Sequence, residues 1–216
     1  MNPVKTAPCQ AACPAGVDVP RYIRHIRDGR FGQALAVVRE RIPFPLVCGY
    51  ACFHPCESRC GRKQFDAPLA IRMLKRVAAE QGVDEQVLPE PAAATGREVA
   101  IVGSGPCGLT AGYYLALQGH AVTVFEALGR SGGMLRFGIP AYRLPDSVVD
   151  ADIRHIERAG VQIRTGTHVS AAEALPTQGH DQGHNATAAV PAAKQGTPAV
   201  NAPPRPEGTH GHTARK

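Results

Sequence analysis

Tryptophan is absent from this chain of 216 residues, and aromatic residues make up only 5% of it. A base-stacking platform for single-stranded nucleic acid is therefore poorly supported. No apolar run reaches the length of a membrane span. The N-terminus, "MNPVKTAPCQAACPAG", lacks the apolar stretch of a signal peptide. The expected setting is the cytoplasm, with no membrane and no nucleic acid as partner. Lysine is scarce too; arginine carries most of the formal net charge of +6 and is scattered along the chain. Only "RYIRHIRDGR" places a cation every third residue, Arg21, Arg24, Arg27 and Arg30. On a helix that stripe reads as a solvated face before it reads as a dock for an acidic partner or nucleic acid. No acid–base pair and no activated nucleophile stands out, so no catalytic residue is assigned. Internal repeats are absent.

What is present fits one or two domains with an ordinary core, since 44% of the residues are hydrophobic. From Asp18, an N-cap ahead of Pro20, "VPRYIRHIRDG" has helical spacing and stops at Gly29. "FGQALAVVRERI" predicts a second helix. "APLAIRMLKRVAAEQG" predicts a third, with Leu69, Met73, Leu74 and Val77 on its buried face. A Pro- and Ala-rich linker spans 83–96. Then "EVAIVGSG", "PCGLTAGYYLALQG" and "AVTVFEA" read as strand, helix, strand, followed by a helix in "DSVVDADIRHIERAG" and a strand in "VQIRTG". Residues 170–216 hold almost no large apolar side chains and are expected to be disordered. The fold expected is an α-helical domain over 1–82 followed by a partial α/β Rossmann-like unit over 97–169.

Six of the seven cysteines precede residue 61. They are Cys9 and Cys13, then Cys48, Cys52, Cys56 and Cys60 at steps of four. On one straight helix the last four would align, yet twelve residues span about 18 Å, and a single metal needs its sulfurs about 2.3 Å away. The chain must therefore fold back, with Gly49, Pro55 and Gly61 as candidate places, or the thiols must divide between two centres. Either arrangement brings residues 9–13 beside 48–60. Disulfides are disfavoured in a reducing compartment. Structural zinc, with His54 as a spare ligand, remains open beside an iron–sulfur cluster held by thiolates.

"IVGSGPCGLTAG" carries Gly103-x-Gly105-x-x-Gly108 between a strand and a helix, and Glu126 ends the next strand. In that context the pattern predicts a dinucleotide site. Gly103 permits the tight turn, Gly105 lets backbone N–H groups approach a pyrophosphate, and Gly108 allows helix and strand to pack closely. Ser104, Pro106 and Cys107 complete the loop, Cys107 as a small buried filler. Glu126, followed by Ala127, would accept ribose hydroxyls. A second glycine pair, Gly132 and Gly133, precedes Met134, Arg136 and Arg143. A nicotinamide-binding unit has no standard need for such a segment, and its two arginines would be available to anionic groups.

"CPAGVDVPRYIRHIRDGRFGQALAVVRERIPFPLVCGYACFHPCESRC" followed by "DAPLAIRMLKR" resembles the N-terminal iron–sulfur domain shared by the glutamate synthase small subunit family and dihydropyrimidine dehydrogenase. "GSGPCGLTAGYYLALQGHAVTVFEALGRSGGMLRFGIPAYRLP" is similar to that family's FAD-binding half. The resemblance covers roughly residues 7–170. It implies an NAD(P)H-linked flavoprotein with [4Fe–4S] clusters, relaying electrons between FAD and a partner subunit or domain. By position, Gly103, Gly105, Gly108 and Glu126 would hold the FAD pyrophosphate and ribose. Gly132, Gly133 and Met134 would lie toward the flavin, with Arg143 close by.

The chain departs from the family in two places. Many family members carry a C-x2-C pair upstream of the counterpart of Cys9, which completes one cluster with Cys9 and Cys60; no cysteine precedes Cys9 here. The other cluster would use Cys13, Cys52, Cys56 and an amide or carboxylate from the following helix, where Lys75 stands. The expectation is one [4Fe–4S] cluster drawn from the six cysteines, with two as the alternative. No second G-x-G-x-x-G is present, so the chain looks C-terminally truncated, and FAD held by the chain alone is expected to be weak. A non-catalytic electron-transfer module that needs a partner subunit is the second reading.

Overall fold

The computed structural model describes residues 6–82 and 89–170. The expected disordered tail, with its histidines, lies outside the described residues apart from Ser170, as do 1–5 and the first part of the linker.

The N-terminal part is helical. A short turn of helix, α1 (Pro8–Ala11), leads to α2 (Val19–Arg27), α3 (Phe31–Arg39), α4 (Pro45–Ala51), α5 (Pro55–Ser58), a 3₁₀ turn at Gly61–Gln64, and α6 (Ile71–Gln81). Asp18 caps α2 as expected, its carboxylate accepting from the Arg21 amide at 3.1 Å. Gly29, at φ +70°, releases the chain into α3. Tyr22 is buried in α2 and its hydroxyl donates to Ile71 O at 3.1 Å, which fixes the start of α6. The arginine stripe is largely matched by nearby acids: Arg21 bonds Glu40, while Arg27 and Arg30 both bond Asp28. Such exposed pairs contribute at most about 1 kcal/mol each.

Helix α6 corrects the sequence reading. It starts at Ile71, and its buried face is Ile71, Lys75, Ala78 and Ala79. Leu69, Met73 and Val77, expected inside, are exposed, while Leu74 packs at the edge of the core. Ala78 and Ala79 on that face are small, and α6 packs closely on α4. At the crossing a Cβ on Gly49 would lie 2.9 Å from Arg76 Cβ. Gly49 is thus a helical contact point within α4 rather than a turn.

The C-terminal part is a three-stranded parallel sheet in the order β1 (Glu98–Val102), β2 (Ala121–Phe125), β3 (Val161–Arg164). The register pairs Val102 with Phe125 and Phe125 with Arg164. Helices α7 (Pro106–Leu117) and α9 (Asp146–Arg158) pack on the sheet and on each other, and α8 (Met134–Phe137) is a single turn between β2 and α9. Buried Val122 and Val124 make β2 the centre. β1 forms an edge, and its Val102 is 60% exposed. Part of the expected linker is ordered against this unit, with the Ala92 amide donating to Leu117 O at 2.9 Å.

The two parts share a core. One apolar group joins Leu35, Leu46, Val47 and Ala79 to Leu109, Tyr113, Val149 and Ile156. A second, around Tyr22, Val38 and Ala78, is local to the helices and reaches Cys56 and Cys60. Residues 1–82 thus have no wholly local core, because α3, α4 and α6 bury part of their surface against the α/β unit.

Candidate functional site

The cysteine series folds back at Phe53 and His54. Cys48 lies within α4, Cys52 follows its last residue in extended backbone, and His54 takes a left-handed conformation at φ +47° before Pro55 starts α5. That bend breaks the line of four. Cys52 and Cys56 turn back toward α1, which packs on α5 and brings Cys9 and Cys13 to the same place. Two neighbourhoods result. Cys13 and Cys52 lie close enough to both Cys48 and Cys56 to disfavour the thiolates of those two, and Cys60 lies close enough to Cys9 to do the same there. Burial pushes the Cys48 and Cys56 thiols up to about 11 in each case, although Lys75 opposes the shift in both. The His54 amide donates to Cys52 Sγ at 3.3 Å. A pocket of about 260 Å³ opens beside Cys48 and Cys52, walled by Pro14, Val47, Ala51, Phe53 and Pro55.

Among the described residues no three of His, Cys, Asp and Glu meet as ligands of a single metal ion. A [4Fe–4S] cluster takes one thiolate at each of four separate irons, so its ligands stand wider apart than those of one zinc. Four neighbouring cysteines, of which Cys48 and Cys52 line an apolar pocket, fit that larger group. Lys75, 8% exposed on α6, lies near enough to act on Cys48 and Cys56.

The glycine loop is assembled as its pattern implies. Gly103 has φ +96°. A Cβ on Gly108 would stand 2.1 Å from Gly103 O and 3.2 Å from Ile101 Cγ2, so only glycine lets α7 sit so close to β1. Gly105 faces open space and caps the 12-residue helix α7, whose free N–H groups favour an anion. Pro106 starts that helix, and Cys107 is exposed in its first turn. The expectation of a buried filler at Cys107 is thus corrected, because the second helical position points away from the sheet.

Glu126 ends β2 within reach of the loop. Its Oε2 accepts from the Ser104 amide at 2.9 Å and the Ser104 hydroxyl at 2.5 Å, and its Oε1 accepts from the Leu128 amide at 2.9 Å. Burial would raise its pKa, but these bonds outweigh burial and hold the carboxyl below its usual range. It is therefore a preorganised carboxylate with lone pairs to spare; Ala127 beside it is exposed. The second glycine pair closes over the first. The Gly132 amide donates to Ser104 O at 3.0 Å, and a Cβ on Gly133 would meet Gly105 Cα at 2.8 Å. Met134 follows at the surface, 68% exposed. Arg136 departs from expectation: it is buried, bonding Asp150 and, at 3.1 Å, Asp146, and so is not available to a ligand. Arg143 is exposed in the turn before α9, and no bond joins its side chain to the glycine loops among the described residues.

One residue that sequence reasoning missed connects the two halves. Asp152, on the inner face of α9, is fully buried and accepts from the Val47 amide at 2.9 Å, so it caps the N-terminus of α4. Burial pushes its carboxyl up to about 7, against the opposing pull of the Val47 amide and Arg39. His155, one turn along, is buried and held down at about 3 by burial and the nearby Arg39 and Arg158 charges. The available signal was an acid on an apolar stripe, between Val149 and Ile156 of "VVDADIRHI".

A thiol-rich helical domain joined to a glycine-loop βαβ unit defines an iron–sulfur, dinucleotide-linked redox module. Residues 3–87 match the dihydropyrimidine dehydrogenase domain II, 4Fe-4S cluster family. Residues 101–174 match the NAD(P)-binding Rossmann-like domain. The chain is 42% identical over 191 residues to the NADP(+)-dependent formate dehydrogenase subunit beta of Moorella thermoacetica, covering 78% of this chain and 27% of that protein. It is 44% identical over 168 residues to the NADPH-Fe(3+) oxidoreductase subunit beta of Geobacter sulfurreducens, covering 76% and 25%. It is 41% identical over 167 residues to the NAD-dependent dihydropyrimidine dehydrogenase subunit PreT of Escherichia coli, covering 76% and 40%. The chain thus carries a dihydropyrimidine dehydrogenase domain II-type 4Fe-4S region followed by an NAD(P)-binding Rossmann-like region, and it is similar over most of its length to these oxidoreductase subunits. It spans about a quarter of the length of the first two relatives. Among the described residues no helix is long and apolar enough to cross a membrane.

Proposed function

We propose that the chain relays electrons between NAD(P)H, FAD and one [4Fe–4S] cluster on behalf of a partner subunit, in the cytoplasm, where thiols stay reduced. The observation that carries this reading is helix α4. It bears Cys48 at its middle and Cys52 just past its last residue, and Asp152 of α9 caps its start, so the thiol site is tied directly to the glycine-loop unit. The cluster, when bound, supplies one-electron chemistry. Cys13, Cys48, Cys52 and Cys56 would hold it, with Cys9 and Cys60 as a remaining pair. Gly103, Gly105 and Gly108 with the start of α7 would hold the pyrophosphate, and Glu126 the ribose. The fold of Gly132 and Gly133 onto Ser104 and Gly105 favours FAD there, because it extends the loop surface along a longer cofactor. Arg143 and Met134 would lie on its open side.

Anaerobic reconstitution of the chain should give about four irons and as many sulfides per chain. Cys52→Ser should abolish both, leaving only background iron. About eight irons would show a second cluster, and one zinc without sulfide would overturn the redox reading. A different outcome is expected for the flavin. Among the described residues Met134, Phe137 and Tyr142, which follow the second glycine pair, are largely exposed and do not wall off an isoalloxazine ring from water. FAD should therefore elute well below one per chain in gel filtration, and retention near one per chain would refute this.

The open edge of β1 favours a second reading, a non-catalytic module completed by a partner. Dye reduction with NADH or NADPH separates the two. Turnover by the chain alone would exclude the second; activity only after a partner subunit is added would support it.

A further inference from the structure

Lys75 is the buried charge that the site, as described so far, leaves without a task. It is 8% exposed on the inner face of α6. Among the described residues its ammonium has no carboxylate and no hydrogen-bond acceptor, whereas the acids around α6 are engaged elsewhere. Glu57 accepts from the Arg72 amide at 2.8 Å and pairs with His54 at 3.1 Å. Glu80 takes Arg76 at 2.7 Å and Tyr50 at 3.2 Å. The side chain runs through the packed face of α6 with no carboxylate among the described residues to receive it, and an anion beside it would supply the missing counter-charge.

The geometry supplies one. α4 and α6 touch where Gly49 meets Arg76, and Cys48 and Lys75 are the residues immediately before those two. The Glu57–Arg72 bond ties α5, with Cys56, to the first turn of α6. Lys75 thus faces Cys48 from one element and Cys56 from another, and its charge acts on both thiols. Neutral thiols would not compensate it. Four thiolates around an iron–sulfur cluster carry a net negative charge that grows by one when the cluster takes up an electron.

We propose that Lys75 is the counter-cation of the cluster held by Cys48 and Cys56, favouring its reduced state over its oxidised state and so raising its reduction potential. This rests on the cluster reading above. Lys75 makes and breaks no bond; the electron arrives from the reductant and stays on the cluster. Lys75 is therefore a positioning charge. Where a carboxylate at this place in the helix would add negative charge to the cluster, a lysine subtracts it.

The test is an EPR-monitored redox titration of the reconstituted chain, with dithionite as reductant, on the wild type, Lys75→Gln and Lys75→Arg, with iron and sulfide counted in each. Lys75→Gln should bind iron like the wild type and become about tenfold harder to reduce, a fall of about 59 mV for one electron. Lys75→Arg, which keeps the charge, should remain near the wild type. If Lys75→Gln loses its iron while Lys75→Arg retains it, the same charge is needed for assembly, which also supports the proposal. An unchanged potential in an iron-loaded Lys75→Gln variant would overturn it, as would equal loss of iron from both variants. A wild-type chain without iron and sulfide would instead overturn the cluster reading beneath it.

Discussion

Replacing Asp152 by alanine should lower the stability of the whole described chain by about 2–4 kcal/mol, since it removes the cap of α4 and leaves the Val47 amide buried without an acceptor. Because the core runs through α4, the loss should appear as one shifted urea transition by circular dichroism and tyrosine fluorescence alike. Two separated transitions, or none displaced, would contradict it. Asp152→Asn keeps an acceptor oxygen and tests ionisation instead. With a folded value of about 7, Asp152 stabilises the fold fully below its unfolded value of 3.8, and this contribution is lost as pH rises to about 7. His155, held at about 3, works in the opposite sense: its contribution is present above 6.5 and lost as pH falls toward 3. Between about pH 4 and 6.5 the two slopes, each up to about 1.4 kcal/mol per pH unit, oppose each other. The cluster-free wild type should be nearly flat in that window, whereas Asp152→Asn should weaken steadily on acidification. Equal slopes in the two proteins would rule out the assignment.

A valine at position 108 should be the most damaging single change to the dinucleotide unit. Its Cβ would fall 2.1 Å from Gly103 O, a backbone atom that cannot swing aside, with Ile101 behind it. Helix α7 would have to lift from β1, at a cost of about 3 kcal/mol or more. The lift would also pull Gly105 away from Gly133, so nucleotide contacts should vanish even where the fold survives. Titration calorimetry with FAD, ADP and NADPH, beside thermal unfolding, would measure both effects. A variant that binds these ligands like the wild type would show that α7 can move without consequence.

Backbone periodicity and glycine spacing made most of the fold legible. The helices over 19–27, 31–39 and 106–117 and the three strands could be placed from Asp18, Gly29, the glycine loop and runs such as "AVTVF". Helix α6 shows where that reasoning fails. Apolar spacing selects Leu69, Met73 and Val77, but the face turned inward holds Ile71, Lys75, Ala78 and Ala79. It meets a thiol site and a close helix crossing, which need charge and small size more than hydrophobic area. Arg136 and Cys107 were misread for a related reason, since availability depends on Asp146, Asp150 and the direction of a helix's first turn. Spacing alone cannot report those. For the thiols, the resemblance already set Cys9 with Cys60 and grouped Cys13, Cys52 and Cys56, whereas the neighbourhood of Cys48 with Cys52 and Cys13 came only from the structure.

The core shared through α4 makes iron supply and nucleotide binding a single mass-action system. Any ligand that binds only the folded chain stabilises it as a whole, by an amount set by its concentration relative to its dissociation constant. Metal loading at the cysteines should therefore suppress transient opening of the glycine loops, although no iron would touch them. Starved of iron, the same chain would expose the Leu46–Val47 side of its core and Val122 and Val124 of the sheet together. Cellular proteases would then clear the molecule as one unit rather than trim it to a surviving half.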